Sequence, residues 1–318
     1  MKPVTLQRLS RAMRVMSRRR GQSSLSGLLL VDKPSGITSF DVVARLRRVL
    51  GTRRIGHTGT LDPMATGLMA VLIGRGTKLA PYVTDTRKSY RAVARLGLET
   101  NTYDAEGEIV AEASEVLLSQ VTERHVQEAL AQFRGPIKQR PPAFSAIKVD
   151  GERLYAKARR GEEVTAPIRD VVVHEVTLLS HELPSVEFFV DCSKGTYIRS
   201  IAHDLGQTLN VGAHLTALRR TRVGAFELSD AWTLDALEAL PEQARIEAVK
   251  PLRDAVSHLR TVVLDAAQER DARHGKRFVI TDEAQGICAA LNESAELIAV
   301  VEVSAERELR VLRGIPAL

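Results

Sequence analysis

Apolar positions along the chain fall in short runs separated by turn formers. Leu28–Val31 is continuously apolar and ends in Asp32-Lys33-Pro34-Ser35-Gly36, which predicts a buried strand followed by a tight turn. The period then changes. Val42, Leu46, Val49 and Leu50 share one face, predicting a helix over Phe40–Leu50 with Ser39 as its cap. The opposite face carries Arg45, Arg47 and Arg48. With Arg53 and Arg54 beyond Gly51 they form a five-Arg cluster expected to face solvent or a phosphate backbone. Leu68–Ile73 is strand-like, and over Ser89–Leu98 Tyr90, Ala92, Ala94 and Leu96 alternate with Arg91, Val93 and Arg95, again a strand. Asp104-Ala105-Glu106-Gly107 is a turn signal. Thr122 caps a helix with Val126, Leu130 and Phe133 as its stripe, ending near Arg134-Gly135. Val186–Cys192 is a further strand, and Ser193–Arg199 leads into a helix running to about Leu209.

Residues 135–167 change character: Pro136, Pro141, Pro142 and Pro167 mark irregular backbone. Over 134–160 eight Lys/Arg, Lys148 among them, face two acids, as expected of a basic flexible clamp or of a solvated loop. Leu218-Arg219-Arg220-Thr221-Arg222 is a second short basic cluster. Beyond residue 230 the balance reverses, with 11 Lys/Arg against 15 Asp/Glu over 231–318. Strand-like runs at Phe278–Thr281, Leu297–Val303 and Leu309–Leu312 there suggest a small β-rich module.

Composition alters this picture at three points. The 318 residues exceed one ordinary core and suggest a large domain plus a smaller one. No run of about 18 apolar residues occurs, so no membrane span is expected. Residues 1–26 carry seven Lys/Arg and no acid, so the +6 of the whole chain leaves about −1 for the rest. A nucleic-acid argument therefore rests on where charges cluster, not on their total. The tail resembles a disordered basic arm or a transit peptide, or precedes a start at Met13 or Met16. Cys192 and Cys288 form no CxxC pair, which excludes a zinc ribbon or thioredoxin-type centre and fits a reducing cytosol.

The segment Gly56-His57-Thr58-Gly59-Thr60-Leu61-Asp62-Pro63-Met64-Ala65-Thr66-Gly67 presents one carboxylate on a stiff bend. Gly56, Gly59 and Gly67 permit unusual backbone angles, and Pro63 drives Asp62 out of the helical region. No second Asp or Glu lies between Asp41 and Asp85, so no local carboxylate pair is supplied, and metal-ligand spacing is absent. A solitary carboxylate suits nucleophilic or general-base work. Taken alone, Asp-Pro favours the plainer reading of an Asx-turn former.

The order of segments shifts that balance. Asp32-Lys33-Pro34-Ser35-Gly36, the 56–67 run, Lys88-Ser89-Tyr90-Arg91-Ala92, Ser193-Lys194-Gly195-Thr196-Tyr197-Ile198-Arg199, Leu218-Arg219-Arg220 and the Pro-rich stretch resemble, in that order, the TruB family of bacterial tRNA pseudouridine synthases. The resemblance covers roughly 27–235 strongly and the C-terminal module weakly. It implies an α+β fold: a mixed, mainly antiparallel central sheet with flanking helices and a thumb insertion, plus a small β-rich PUA-type domain. The expected division is a disordered tail at 1–26, a catalytic domain at 27–240 with the thumb at about 135–167, and a PUA-like domain at 255–318. It further implies isomerisation of uridine 55 in the T loop of tRNA, without cofactor, metal or guide RNA, by a cytoplasmic monomer. Asp62 matches the catalytic aspartate and Arg199 its arginine partner. Tyr90, Tyr197 and Leu218 match the uridine pocket, and His57 a histidine that holds the flipped state. Arg53, Arg54, Lys148 and Lys33 are expected RNA contacts, Lys33 with a structural role as the alternative.

Overall fold

The computed structural model describes residues 25–317 except 85, 146, 150, 155, 156, 158, 159, 161 and 163, so most of the basic tail lies outside the described residues. Strand β1 (Gly27–Lys33) is followed by α1 (Ser39–Val49), β2 (Ile55–His57) and β3 (Thr66–Ile73). Then come β4 (Lys88–Leu96), α2 (Glu123–Ala131), β5 (Gly135–Gln139), β6 (Arg169–Glu182), β7 (Ser185–Cys192), α3 (Ile198–Thr208) and β8 (Ala213–Val223). A short β9 (Trp232–Thr233) and α4 (Leu234–Ala239) complete this part. The strands form one ten-stranded sheet in the order β9-β1-β3-β8-β4-β7-β6-β5, with β2 also on β3 and a two-residue strand, Phe226–Glu227, also on β8. Among the described residues of this sheet, only the β1–β9 and β3–β8 pairs are parallel. This is the mixed, mainly antiparallel sheet expected.

The runs in β1 and β3 are continuously apolar because both faces are covered. Leu29, Val31, Met69 and Val71 face a core shared with α1, α2, α3 and α4. Leu28, Leu30, Leu68 and Leu72 face a second core containing Val256, Ala289, Leu297, Val300 and Ile315. Those partners belong to the C-terminal part, where β10 (Arg260–Leu264), β11 (Phe278–Val279), β12 (Gly286–Asn292), β13 (Leu297–Val303) and β14 (Glu308–Gly314) form a sheet ordered β10-β12-β13-β14-β11. The β-rich module expected there is thus welded to the back of the main sheet. Among the described residues no helix is long and apolar enough to cross a membrane.

Several local expectations change. Thr38, not Ser39, caps α1: its side chain accepts the Asp41 N–H at 3.1 Å while Asp41 accepts the Thr38 N–H at 2.9 Å. Arg45 does not stay in the solvent-facing cluster, because it ties α1 to α4 through Glu238 at 2.5 Å and Asp235 at 2.6 Å. The start of the Pro-rich segment is regular, with β5 pairing antiparallel to β6. The basic run at 218–222 lies inside strand β8.

Candidate active site

The 56–67 loop leaves β2, crosses the mouth of the sheet and re-enters as β3. Three buried polar side chains hold it. Ser39, displaced from its expected capping role, accepts the Leu61 N–H at 2.8 Å and donates to the Leu61 carbonyl at 3.1 Å. Lys33 is fully buried and its Nζ donates to the carbonyls of Pro34 (2.8 Å), Pro63 (3.0 Å) and Ala65 (2.7 Å). Burial lowers its ammonium to about 8, so at neutral pH it remains charged and ties down both sides of the bend. All three of its hydrogen bonds go to backbone carbonyls, so Lys33 is placed to hold the bend rather than presented to solvent. Arg220 donates to the Gly59 carbonyl at 3.1 Å. Of the three glycines only Gly67 has a positive φ, +102°.

The turn after Asp62 closes through its backbone carbonyl, which accepts the Ala65 N–H at 3.1 Å. The carboxylate is spared that duty. It faces Arg199 in the first turn of α3, whose Nε lies 2.9 Å from Asp62 Oδ2; Arg199 is 5% exposed and Asp62 36%. The contact is an ion pair whose N–H is not well aimed at the oxygen. The rest of the guanidinium is committed to Asp104 (3.0 Å), the Thr102 carbonyl (3.0 Å) and the Phe144 carbonyl (3.0 Å). Arg199 thus joins two carboxylates. Asp104 escaped sequence reading because it also performs the turn task its setting advertises, accepting the Glu106 N–H at 3.1 Å.

Burial pushes the Asp62 carboxyl above the ordinary carboxylate value; Arg199 pulls it down, and Asp104 pushes it up. The arginine therefore acts in the expected direction without overcoming burial. A cleft of about 260 Å³ opens over Asp62, lined also by Tyr90, Tyr197, Arg199, Leu218 and Arg220. With Asp62 these make six residues from four sequence segments brought to one cleft. Tyr90 projects from β4 and is 7% exposed, and burial raises its phenol. Tyr197 caps α3, its backbone N–H donating to Gln139 Oε1 at 2.8 Å. Leu218 is 8% exposed on β8.

His57 ends β2, and its Nδ1 accepts the Gly59 N–H at 3.4 Å, a backbone bond that needs no substrate. Burial lowers its imidazole, which is neutral at neutral pH. Arg53 and Arg54 are exposed, Arg54 donating to Thr77 at 3.1 Å. The Lys148 side chain lies outside what the structure describes; its backbone pairs with Arg153 in a two-stranded ribbon.

Residues 47–198 match the TruB family pseudouridylate synthase N-terminal domain, and 199–265 the tRNA pseudouridylate synthase B C-terminal domain. The tRNA pseudouridine synthase B of Aromatoleum aromaticum is 44% identical over 86% of this chain and 87% of its own. The chain belongs to the TruB family. The Leifsonia xyli member is 45% identical over 92% of this chain and 97% of its own, and the Opitutus terrae member 52% over 69% and 90%. Two solved structures share the fold. One is an H/ACA RNP bound to a substrate RNA containing 2'-deoxyuridine (TM-score 0.72, 24% identity, 94% of this chain and 87% of that one). The other is an archaeal box H/ACA sRNP Nop10–Cbf5 complex (TM-score 0.70, 23% identity, 94% and 91%). This TruB-family chain thus shares its fold with both structures over 94% of its length.

Proposed function

We propose that the protein is a tRNA pseudouridine synthase that isomerises uridine 55 of the T loop, with Asp62 as its catalytic carboxylate and without a cofactor. The observation that carries this reading is the Asp62–Arg199 ion pair at the base of a cleft walled by Tyr90, Tyr197 and Leu218, in a TruB-family chain. The isomerisation breaks the N1–C1′ bond and forms C5–C1′, while C5 loses a proton and N1 gains one, so no atom is left over. Asp62 serves as nucleophile at C1′ or C6, or as base toward the ribose. All three roles need its anion, which Arg199 favours.

The target base is extruded from its folded loop at a cost of a few kcal/mol. The ring of Tyr90 stacks on it, Tyr197 and Leu218 wall it in, and His57 fills the space it leaves. Phosphate contacts offset the extrusion: Arg53 and Arg54 at one side, and the basic 134–160 stretch with Lys148 as a thumb closing on the stem-loop. The protein acts without guide RNA, as a cytoplasmic monomer.

Asp62→Asn tests the central assignment. It is expected to bind tRNA as the parent does while single-turnover pseudouridine formation falls about a thousandfold or more. Near-parental turnover in that variant would remove Asp62 from the chemistry and leave an RNA-binding protein on this scaffold.

A further inference from the structure

The segment 99–104 lies along one face of α3. Arg199, His203 and Gln207 follow one another at four-residue intervals on that helix and therefore form one stripe. Each meets the segment. Gln207 Nε2 donates to Glu99 Oε2 at 2.7 Å, and His203 Nδ1 stands 3.4 Å from Glu99 Oε1. The His203 ring stacks on that of Tyr103, with centroids 3.8 Å apart and planes 9° apart. Arg199 Nη1 donates to the two residues that bracket Tyr103, at the Thr102 carbonyl and at Asp104 Oδ2, both at 3.0 Å.

The backbone of Tyr103 is held from the other side. Its carbonyl accepts the Leu215 N–H of β8 at 3.0 Å. Its φ is +63°, a left-handed conformation that disfavours a bulky side chain and that asparagine or glycine takes more readily. The bonds to β8 dock the 102–104 turn on the sheet. Its spacing from α3, which carries Arg199, is left to side chains, and the ring pair is the contact next to Arg199 along the stripe. Among the described residues lining the cleft over Asp62, neither ring appears, so any effect on the chemistry runs through another residue.

We infer that Tyr103 and His203 are positioning residues for Arg199: their stacked rings hold the 102–104 turn against α3, so that the guanidinium is fixed on that turn with its Nε beside Asp62. This gives a reason for an aromatic ring at a left-handed position, since a small side chain there would not reach His203. With the ring pair gone, Thr102 and Asp104 are free to shift relative to α3, and the guanidinium that they grip shifts relative to Asp62. The consequence for catalysis rests on the functional reading above; the hold on Arg199 does not.

Tyr103→Asn and Tyr103→Phe separate the ring from the backbone, because asparagine accepts the left-handed angles and phenylalanine keeps the stack. Tyr103→Asn is expected to slow single-turnover pseudouridine formation about 10- to 100-fold, with tRNA affinity within about twofold of the parent. Tyr103→Phe should keep the rate to within about threefold. In an Arg199→Gln background Tyr103→Asn should cost less than about threefold, because the group it acts through is gone. The ¹⁵Nε–¹Hε signal of Arg199, assigned by its loss in Arg199→Gln, should move in Tyr103→Asn and stay in place in Tyr103→Phe. If Tyr103→Asn does not fold, His203→Leu removes the partner ring and carries the same readouts. Equal fold-losses in the two backgrounds, an unmoved Arg199 signal, or a Tyr103→Phe as slow as Tyr103→Asn overturns the proposal. A parent protein that makes no pseudouridine counts against the functional reading instead, and the Arg199 signal alone then decides whether the ring pair holds the guanidinium.

Discussion

Arg199 is asked to hold two carboxylates, Asp62 and Asp104, at 2.9 and 3.0 Å. The consequences for pH follow by sign. Asp62 titrates above its ordinary value of about 4, so activity that needs its anion falls on acidification at a higher pH than for an exposed aspartate. Removing Arg199 deletes a lowering influence, so in Arg199→Gln the acid limb of the pH–rate profile moves to higher pH. Asp104→Asn deletes a raising influence, and the limb moves to lower pH. An unmoved limb in both would show that another group sets it. Lys33 makes a separate test. Lys33→Met strands three carbonyls at a cost of about 3 kcal/mol, lowering the melting temperature while the salt dependence of tRNA binding stays as in the parent. A flattened salt dependence would restore Lys33 to the RNA-facing role its position in the motif suggested. Motifs point to Asp62, Tyr90, Tyr197, Arg199 and Leu218; Asp104 stands outside them, and Arg220 lies within the Leu218-Arg219-Arg220 motif without a role that can be read from it. An aspartate in a turn and an arginine in a basic run look ordinary until distant strands bring them to the cleft.

Elements were legible where burial was two-sided or strictly alternating. The apolar runs of β1 and β3, and the alternation in β4, follow from which faces are covered. Strand β6 was not legible because its outer positions are exposed and its sequence mixes charges into the alternation. Strand β8 was not, because Arg219, Arg220 and Arg222 reach partners that lie elsewhere in the chain. The contact between β3 and β8 is tight enough to test. A Cβ on Gly67 would lie 2.3 Å from the Arg220 carbonyl oxygen at a φ of +102°, so Gly67→Ala is expected to cost about 2–4 kcal/mol in denaturant unfolding. A loss below about 0.5 kcal/mol would mean the strands can part there without penalty. The proposed thumb belongs to the same scale. Neutralising Lys148, Arg153 and Lys157 together should weaken tRNA binding and reduce its salt slope by up to about 0.7–0.9 for each phosphate that no longer meets a cation, whereas an unchanged slope would return the segment to solvated loop.

At the scale of the molecule, the two sheets share one hydrophobic core. A chain ending near residue 250 would uncover Leu28, Leu30, Leu68 and Leu72, and is expected to aggregate or melt well below the parent rather than survive as a catalytic domain. A truncated protein of unchanged melting temperature would show instead that the C-terminal part is a detachable domain, as the sequence suggested. The shared core was hidden from sequence because β1 and β3 look alike whether a helix or a second sheet covers them. Charge also reads differently at this scale. Seven Lys/Arg stand in residues 1–26, against +6 for the entire chain, so the affinity for tRNA proposed here comes from local clusters around the cleft and not from a basic surface overall. The central claim is tested most directly by mapping pseudouridine in a tRNA transcript incubated with the parent protein and with Asp62→Asn. Conversion at position 55 by the parent alone is expected; a uridine that stays unchanged at 55 with the parent, or is converted by Asp62→Asn, would contradict the proposed function.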